Sequence, residues 1–102
     1  MVDVTVTQII EVDASAGVVT VTYPPTLATG YGVTVAKTDT TTNAVNISPD
    51  GATVADAIVT PANGPRVDAR TVWSNGTTLH SAQGGPSGAD VIITTNTNHT
   101  IT

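Results

Sequence analysis

The sequence predicts an all-β fold, and three observations support that prediction. Thr, Val and Ile make up 43 of the 102 residues, whereas Phe is absent and Leu occurs only twice. β-Branched side chains suit the pleated surface of a sheet and lose rotamer freedom in a helix. Apolar and polar residues alternate along several short segments, and turn-forming residues separate them at intervals of roughly 8–12 residues. We therefore expect a small sandwich or barrel-like antiparallel sheet.

The first half of the chain contains the predicted strands with the clearest alternation. They cover residues 8–12, 18–23, 32–37 and 43–47. Turn formers from Asp13 to Gly17 separate the first two strands, and Pro24-Pro25 ends the second because proline has no N–H to donate. The segment Ser48-Pro49-Asp50-Gly51 predicts a turn, since proline presets φ and glycine accepts a positive φ.

The second half contains further extended segments and one strong hairpin signal. Residues 53–59 fit either a strand or one helical turn, and we favour the strand because neither end has a good helix cap. Residues 66–73 alternate again, and Asn75-Gly76 predicts a tight hairpin that returns through His80. Residues 91–102 are rich in Val, Ile, Thr and Asn, and we expect them to be extended.

The length allows one domain, and we divide the chain into three parts. Residues 1–7 form an N-terminal arm or strand, residues 8–83 form the β domain, and residues 84–102 form a Gly-rich linker with an extended C-terminal arm. Small side chains give such a domain a thin core. We therefore expect neighbouring subunits to complete that core, with the two arms adding strands to neighbours.

Composition and charge exclude several classes of protein. The net charge is −5, and Lys37, Arg66 and Arg70 are the only cationic side chains besides two histidines, too few for a nucleic-acid-binding surface. The chain has no Cys, which excludes disulfides and thiolate metal sites. No apolar run approaches the roughly 20 residues of a membrane helix. We predict no nucleic-acid partner, no membrane contact and no cofactor.

The sequence shows no motif for catalysis or metal binding. A hydrolase triad needs Ser or Cys near His and a carboxylate, but no nucleophile motif accompanies His80 or His99. The eight carboxylates do not follow the spacing of a Ca²⁺ loop. We predict a non-enzyme with no catalytic or metal-binding residues. Two alternatives stay open: an axial ion held by one His or Asp repeated around a trimer, and a small hydrolase that depends on His80.

Candidate interface residues follow from the aromatic, cationic and apolar side chains that the predicted strands present. Trp73 is equally suited to the core and to an interface, and Arg70 can pair with Asp68 on the same strand face. The full candidate set is Trp73, Arg70, Val2, Val4, Val6, Val91, Ile92 and Ile93.

Residues 8–85 resemble a β-rich module of phage virion proteins, found in tail fibres, head fibres and capsid decoration proteins. The most telling parts are the Lys37-Thr38-Asp39 turn and the Ser74-Asn75-Gly76 hairpin. The matching segments, in chain order, are Ile9–Thr22, Pro24-Pro25, Val33–Asp39, Asn43–Ile47, Pro49–Gly51 and Val72–Thr77. The chain departs from the pattern at Leu79-His80, where an aromatic residue is usual, and in the less regular segment Thr53–Ile58.

The resemblance implies a structural role in the virion, commonly as a homotrimer, with no catalytic residues to carry over. We expect a capsid decoration protein or short head fibre, made in the host cytoplasm, that binds the major capsid protein on the outer capsid surface and stabilises it. A chain of 102 residues favours this over a tail fibre, since fibres with such modules are generally longer. The alternative is a tail-fibre or receptor-binding module that recognises a host-surface carbohydrate.

Overall fold

The computed structural model describes residues 8–26, 32–84 and 91–102, and it confirms the all-β prediction. These residues form nine strands and no helix, so none of them contributes a helix that could span a membrane. The strands are β1 (Gln8–Val12), β2 (Val19–Thr22), β3 (Val33–Lys37), β4 (Val45–Ser48), β5 (Asp56–Ile58), β6 (Asp68–Ser74), β7 (Leu79–Gln83), β8 (Val91–Thr95) and β9 (His99–Thr100).

The strands form two sheets that pack on one shared core. The larger sheet has five strands in the order β7-β6-β3-β1-β8, and the smaller has four in the order β5-β4-β2-β9. Val and Ile side chains fill the space between them, and Tyr23 is the largest fully buried side chain. The buried cluster is Ile10, Val12, Ala14, Val19, Val21, Tyr23, Val33, Val35, Val45, Ile47, Ile58, Val72 and Ile101.

The predicted antiparallel pairing is wrong for the centre of both sheets. β1 pairs in parallel with β3 and β8, and β2 pairs in parallel with β4 and β9. Antiparallel pairs occur on one side only, between β3 and β6, β6 and β7, and β4 and β5. Alternation in a sequence indicates which face of a strand is buried, but it does not indicate which strand lies beside it.

The parallel pairing arises because consecutive strands lie in opposite sheets. β1 and β2, β3 and β4, and β8 and β9 each form an arch, in which a turn carries the chain from one sheet to the other. The three arches stack in the same direction, with β1–β2 in the middle. Hydrogen bonds continue past the strand ends: the Asp13 N–H donates to the Thr95 carbonyl and the Thr38 N–H to the Val12 carbonyl, both at 2.9 Å.

The predicted extended C-terminal arm is also wrong, because residues 91–102 belong to the domain. β8 is an edge strand of the larger sheet and β9 is an edge strand of the smaller one. The Thr20 N–H donates to Asn98 Oδ1 at 2.9 Å, and Ile101 is fully buried. A strand that pairs with a distant part of the chain has the same local pattern as a free arm. The predicted N-terminal arm, residues 1–7, lies outside the described residues.

Candidate subunit interface

Among the described strands, β8 forms an edge without the usual protection against pairing. β8 and β9 end the two sheets and belong to one arch. Residues 91–102 contain no Asp, Glu, Lys, Arg or Pro, whereas natural edge strands commonly carry charges, proline or bulges that prevent added pairing. Val91 and Ile92 are 39% and 62% exposed. We call residues 91–95 the β8 edge; it presents apolar side chains beside a strand that pairs on one side only among the described residues.

The three interface candidates of β8, Val91, Ile92 and Ile93, differ in orientation and exposure. Ile93 is the lateral neighbour of Ile10, which is buried, and it packs against the core. Ile92 points to the opposite side because neighbouring residues of a strand alternate between faces. Val91 shares the inward face but stays partly exposed, at the end where the strand begins. Ile92 is therefore the apolar side chain that this edge offers most openly.

Trp73 lies on the outer face of the larger sheet, outside the core. Its neighbours Val72 and Ser74 are buried, and Trp73 itself is half-buried. The indole stacks on the imidazole of His80, its direct partner across β6 and β7, with ring centroids 5.7 Å apart and an interplanar angle of 23°. The sequence left core and interface positions equally open for Trp73, and the register of the hairpin excludes the core position.

The hairpin after Trp73 is held by its own side chains. Asn75 Oδ1 accepts the N–H groups of Thr77 and Thr78 at 3.1 and 2.8 Å. Ser74 Oγ accepts the Gly76 N–H at 2.9 Å and donates to the Pro25 carbonyl at 2.8 Å. Gly76 has a φ of 99°, a conformation that favours glycine. The predicted Asn-Gly hairpin is thus present, and it fixes Trp73 and His80 opposite each other.

The outer face of the larger sheet carries one charged side chain among the described residues. The register places on this face Ile9, Glu11, Thr34, Ala36, Ala69, Thr71, Trp73, His80, Ala82, Ile92 and Thr94. Thr34 is only 3% exposed, and its Oγ1 makes no hydrogen bond within the described part of the chain. Interface cores are depleted of charge and enriched in aromatic residues, and this face has both properties.

Arg70 lies inside the sandwich, where it connects the two sheets. Its Nη1 donates to Asp68 Oδ1 at 2.7 Å, and its Nε donates to Asp56 Oδ2 on β5 of the other sheet at 3.1 Å. Ser81 Oγ also donates to Asp56 Oδ2, at 2.8 Å. The Arg70 side chain is 17% exposed, so the domain itself uses this guanidinium.

The ion pair with Arg70 favours the charged form of Asp68. Burial tends to raise the pKa of Asp68, but the hydrogen bond and positive charge of Arg70 outweigh burial and hold that pKa below its ordinary value. The pairing of Arg70 with Asp68 was proposed from sequence. Asp56 was missed, because nothing local to residue 56 indicates a partner in another sheet.

Two open clefts lie on the surface of the described residues. The larger one, of about 410 Å³, is lined by Asn63, Arg66, Asp68 and Gln83 among others. Asp68 already pairs with Arg70. The smaller cleft, of about 340 Å³, is lined by Asp13, Thr94, Thr95 and Asn96. Both linings mix polar and apolar surface, and neither contains a histidine.

The remaining predictions concern metals and the N-terminal segment. Across residues 8–26, 32–84 and 91–102, no three His, Asp or Glu side chains lie close enough together to hold a metal ion. Val2, Val4 and Val6 lie outside the described residues.

Comparison of the chain with protein-family models, with curated proteins and with solved structures found no match.

Proposed function

We propose that this chain is a structural protein of a phage virion: a capsid decoration protein or short head fibre that binds the outer capsid surface as a homotrimer. The β8 edge is the observation that carries the proposal, because an uncharged, apolar and open strand is a surface suited to pairing with another chain. The resemblance of residues 8–85 to virion modules supports the same role.

In this proposal the β8 edge joins neighbouring subunits. An added strand gains main-chain hydrogen bonds, and alternate side chains supply the specificity. Burial of Ile92 adds about 25 cal/mol for each Å² removed from water, before the cost of association. Chains with a net charge of −5 repel one another, so we expect them to meet through uncharged surfaces such as this one.

The outer face of the larger sheet is the surface that we assign to the major capsid protein. It combines the Trp73–His80 stack with small Thr and Ala side chains, and Glu11 is its one charge among the described residues. A half-buried Trp held by a partner ring offers contact area with little further loss of side-chain freedom.

Cryo-electron microscopy of virions with and without the protein tests this function. We expect threefold-arranged density on the capsid surface that disappears in particles lacking the chain. Particles that keep all their capsid-surface density without the protein would contradict the proposal, as would density confined to the tail.

The stacked Trp73 also favours a second candidate, a module that recognises host-surface carbohydrate, since sugars stack on partly exposed aromatic rings. That function predicts that the isolated protein binds host cells or a glycan array. It also predicts that Trp73→Ala abolishes this binding while the fold is retained. A capsid protein should show neither effect.

A further inference from the structure

Three turns of the described chain contain an Asp-Gly or Asn-Gly pair. They are Asp50-Gly51, Asn63-Gly64 and Asn75-Gly76. In such a pair the glycine nitrogen can attack the preceding side-chain carbonyl carbon, because glycine has no Cβ to hinder the approach and both groups are in one chain. The reaction requires a free glycine N–H and a side chain that can rotate.

Two of these pairs are blocked by hydrogen bonds. The Gly51 N–H donates to Ser48 Oγ at 2.7 Å, and Asp50 Oδ1 accepts the Thr53 N–H at 2.7 Å. The Gly76 N–H likewise donates to Ser74 Oγ at 2.9 Å, while Asn75 Oδ1 accepts two backbone N–H groups. In both turns the attacking nitrogen and the attacked side chain are held in place.

In the third pair, Asn63-Gly64, neither the glycine N–H nor the preceding side chain is held by a hydrogen bond within the described residues. Asn63 and Arg66 exchange backbone hydrogen bonds at 2.9 and 3.1 Å, which closes a tight turn around Gly64 and Pro65. Within the described ranges, the Asn63 carboxamide makes no hydrogen bond and the Gly64 N–H donates none. Asn63 and Gly64 are exposed, and a Cβ built on Gly64 would meet no atom within 4 Å.

From this contrast we infer that Asn63 is a site of spontaneous deamidation, whereas Asn75 is protected. The Gly64 nitrogen forms a bond to Cγ of Asn63 and gives up its proton, the Cγ–Nδ2 bond breaks, and ammonia leaves. Water then opens the resulting succinimide at either carbonyl and produces aspartate or isoaspartate. The reaction consumes one water, releases one ammonia and needs no oxidant or cofactor.

The modification changes the cleft beside the turn. Asn63 and Arg66 both line the cleft of about 410 Å³, so either product adds a carboxylate next to an exposed guanidinium. The isoaspartate product also lengthens the main chain by one methylene between residues 63 and 64. That insertion changes the path of the main chain inside the turn that the two backbone hydrogen bonds between Asn63 and Arg66 close.

Peptide mapping of the aged, folded protein tests the inference. Trypsin cleaves after Lys and Arg, so Asn63 and Asn75 fall on separate peptides, residues 38–66 and 71–102. After incubation at mildly alkaline pH, we expect the mass increase of deamidation to accumulate roughly tenfold faster in the first peptide, the factor that about 1.4 kcal/mol in the barrier produces. Equal rates at both sites, or a faster rate at Asn75, would overturn it.

Three controls test whether the folded turns, and not the Asn-Gly sequence alone, set the deamidation rates. In denaturant both Asn-Gly pairs should react at similar rates, which requires no substitution. Asn63→Gln should remove the fast reaction from peptide 38–66. Ser74→Ala frees the Gly76 N–H and should speed the reaction at Asn75 alone. A folded Ser74→Ala protein with an unchanged rate at Asn75 would contradict the protection argument.

Discussion

Lys37 Nζ lies 2.8 Å from Asp39 Oδ2, and both side chains are shielded from solvent at the turn between β3 and β4. The Lys37 ammonium also donates to the backbone carbonyls of Asp39 and Thr41. Asp39 accepts the Ala14 N–H at 2.8 Å, which connects this turn to the turn of the β1–β2 arch. The pair therefore holds two stacked arches in register.

Removal of one partner of this pair should strongly destabilise the fold. Asp39→Asn leaves the buried Lys37 ammonium without its counter-charge, and we expect a loss of about 3–5 kcal/mol in the free energy of unfolding. Urea denaturation measures it. The double variant Lys37→Met with Asp39→Asn should lose less than the sum of the two single variants. An additive result would show that the two charges do not interact.

The protein should lose stability as the pH falls below about 5. Burial opposes ionisation of Asp39, but hydrogen bonds from Lys37, Thr41 and Ala14 outweigh it and hold its pKa far below the ordinary value. The pKa of Asp50 is lowered to about 2, mainly by the backbone N–H groups of Thr53 and Ala52.

A folded-state pKa below the unfolded value means that the unfolded chain binds protons first. The stabilisation is therefore complete above about pH 5 and is lost as the pH falls toward the folded-state values. Thermal melts across this range should show a falling midpoint, with a shallower slope for Asp39→Asn. A melting temperature independent of pH between 5 and 2 would contradict the pKa directions given above.

Substitution of Arg70 should weaken the contact between the two sheets. Arg70→Ala leaves Asp56 and Asp68 facing each other without a cation, and we expect a loss of about 1–3 kcal/mol. The free energy of unfolding of Arg70→Lys should lie between those of the unmodified protein and Arg70→Ala. Lysine keeps the charge but cannot reach both carboxylates as a planar fork. Arg66→Ala is the matched control, because Arg66 is exposed and forms no ion pair with the described residues.

A charge on the β8 edge should dissociate the oligomer without unfolding the subunit. Ile92→Lys places an ammonium on an exposed side chain of the edge strand, so the fold tolerates it and an added strand does not. Light scattering should give three chains for the unmodified protein and one for the variant. Val54→Lys, also exposed but outside β8, should remain trimeric. A monomeric unmodified protein would argue against subunit contact at this edge.

The buried hydroxyl of Thr34 should lower the free energy of unfolding, because it is removed from water without a hydrogen-bond partner among the described residues. Its Oγ1 is out of solvent and makes no hydrogen bond with the described residues. Thr34→Val keeps the shape and removes the unsatisfied group, so we expect the free energy of unfolding to rise by about 1 kcal/mol. Thr71→Val, at the neighbouring position of β6, is the control, since the Thr71 hydroxyl donates to the Gly84 carbonyl. A loss of stability in Thr34→Val would mean that this hydroxyl has a partner.

Local features of the fold were predictable from sequence. The alternation of Val with Thr located the strands, and Asn75-Gly76 located the hairpin, because both signals act over a few residues. The inward position of Ile93 and Arg70 was not predictable, since it depends on register with strands far away in the chain.

The sequence by itself determined that this protein is built from short strands and that its core consists mainly of Val and Ile. Propensity and patterning are properties of each segment alone. Only the tertiary structure decided that the strands form stacked arches, that residues 91–102 complete both sheets, and that Arg70 connects those sheets. These features depend on contacts between residues distant in the chain, such as Asp39 with Ala14, which no local pattern encodes.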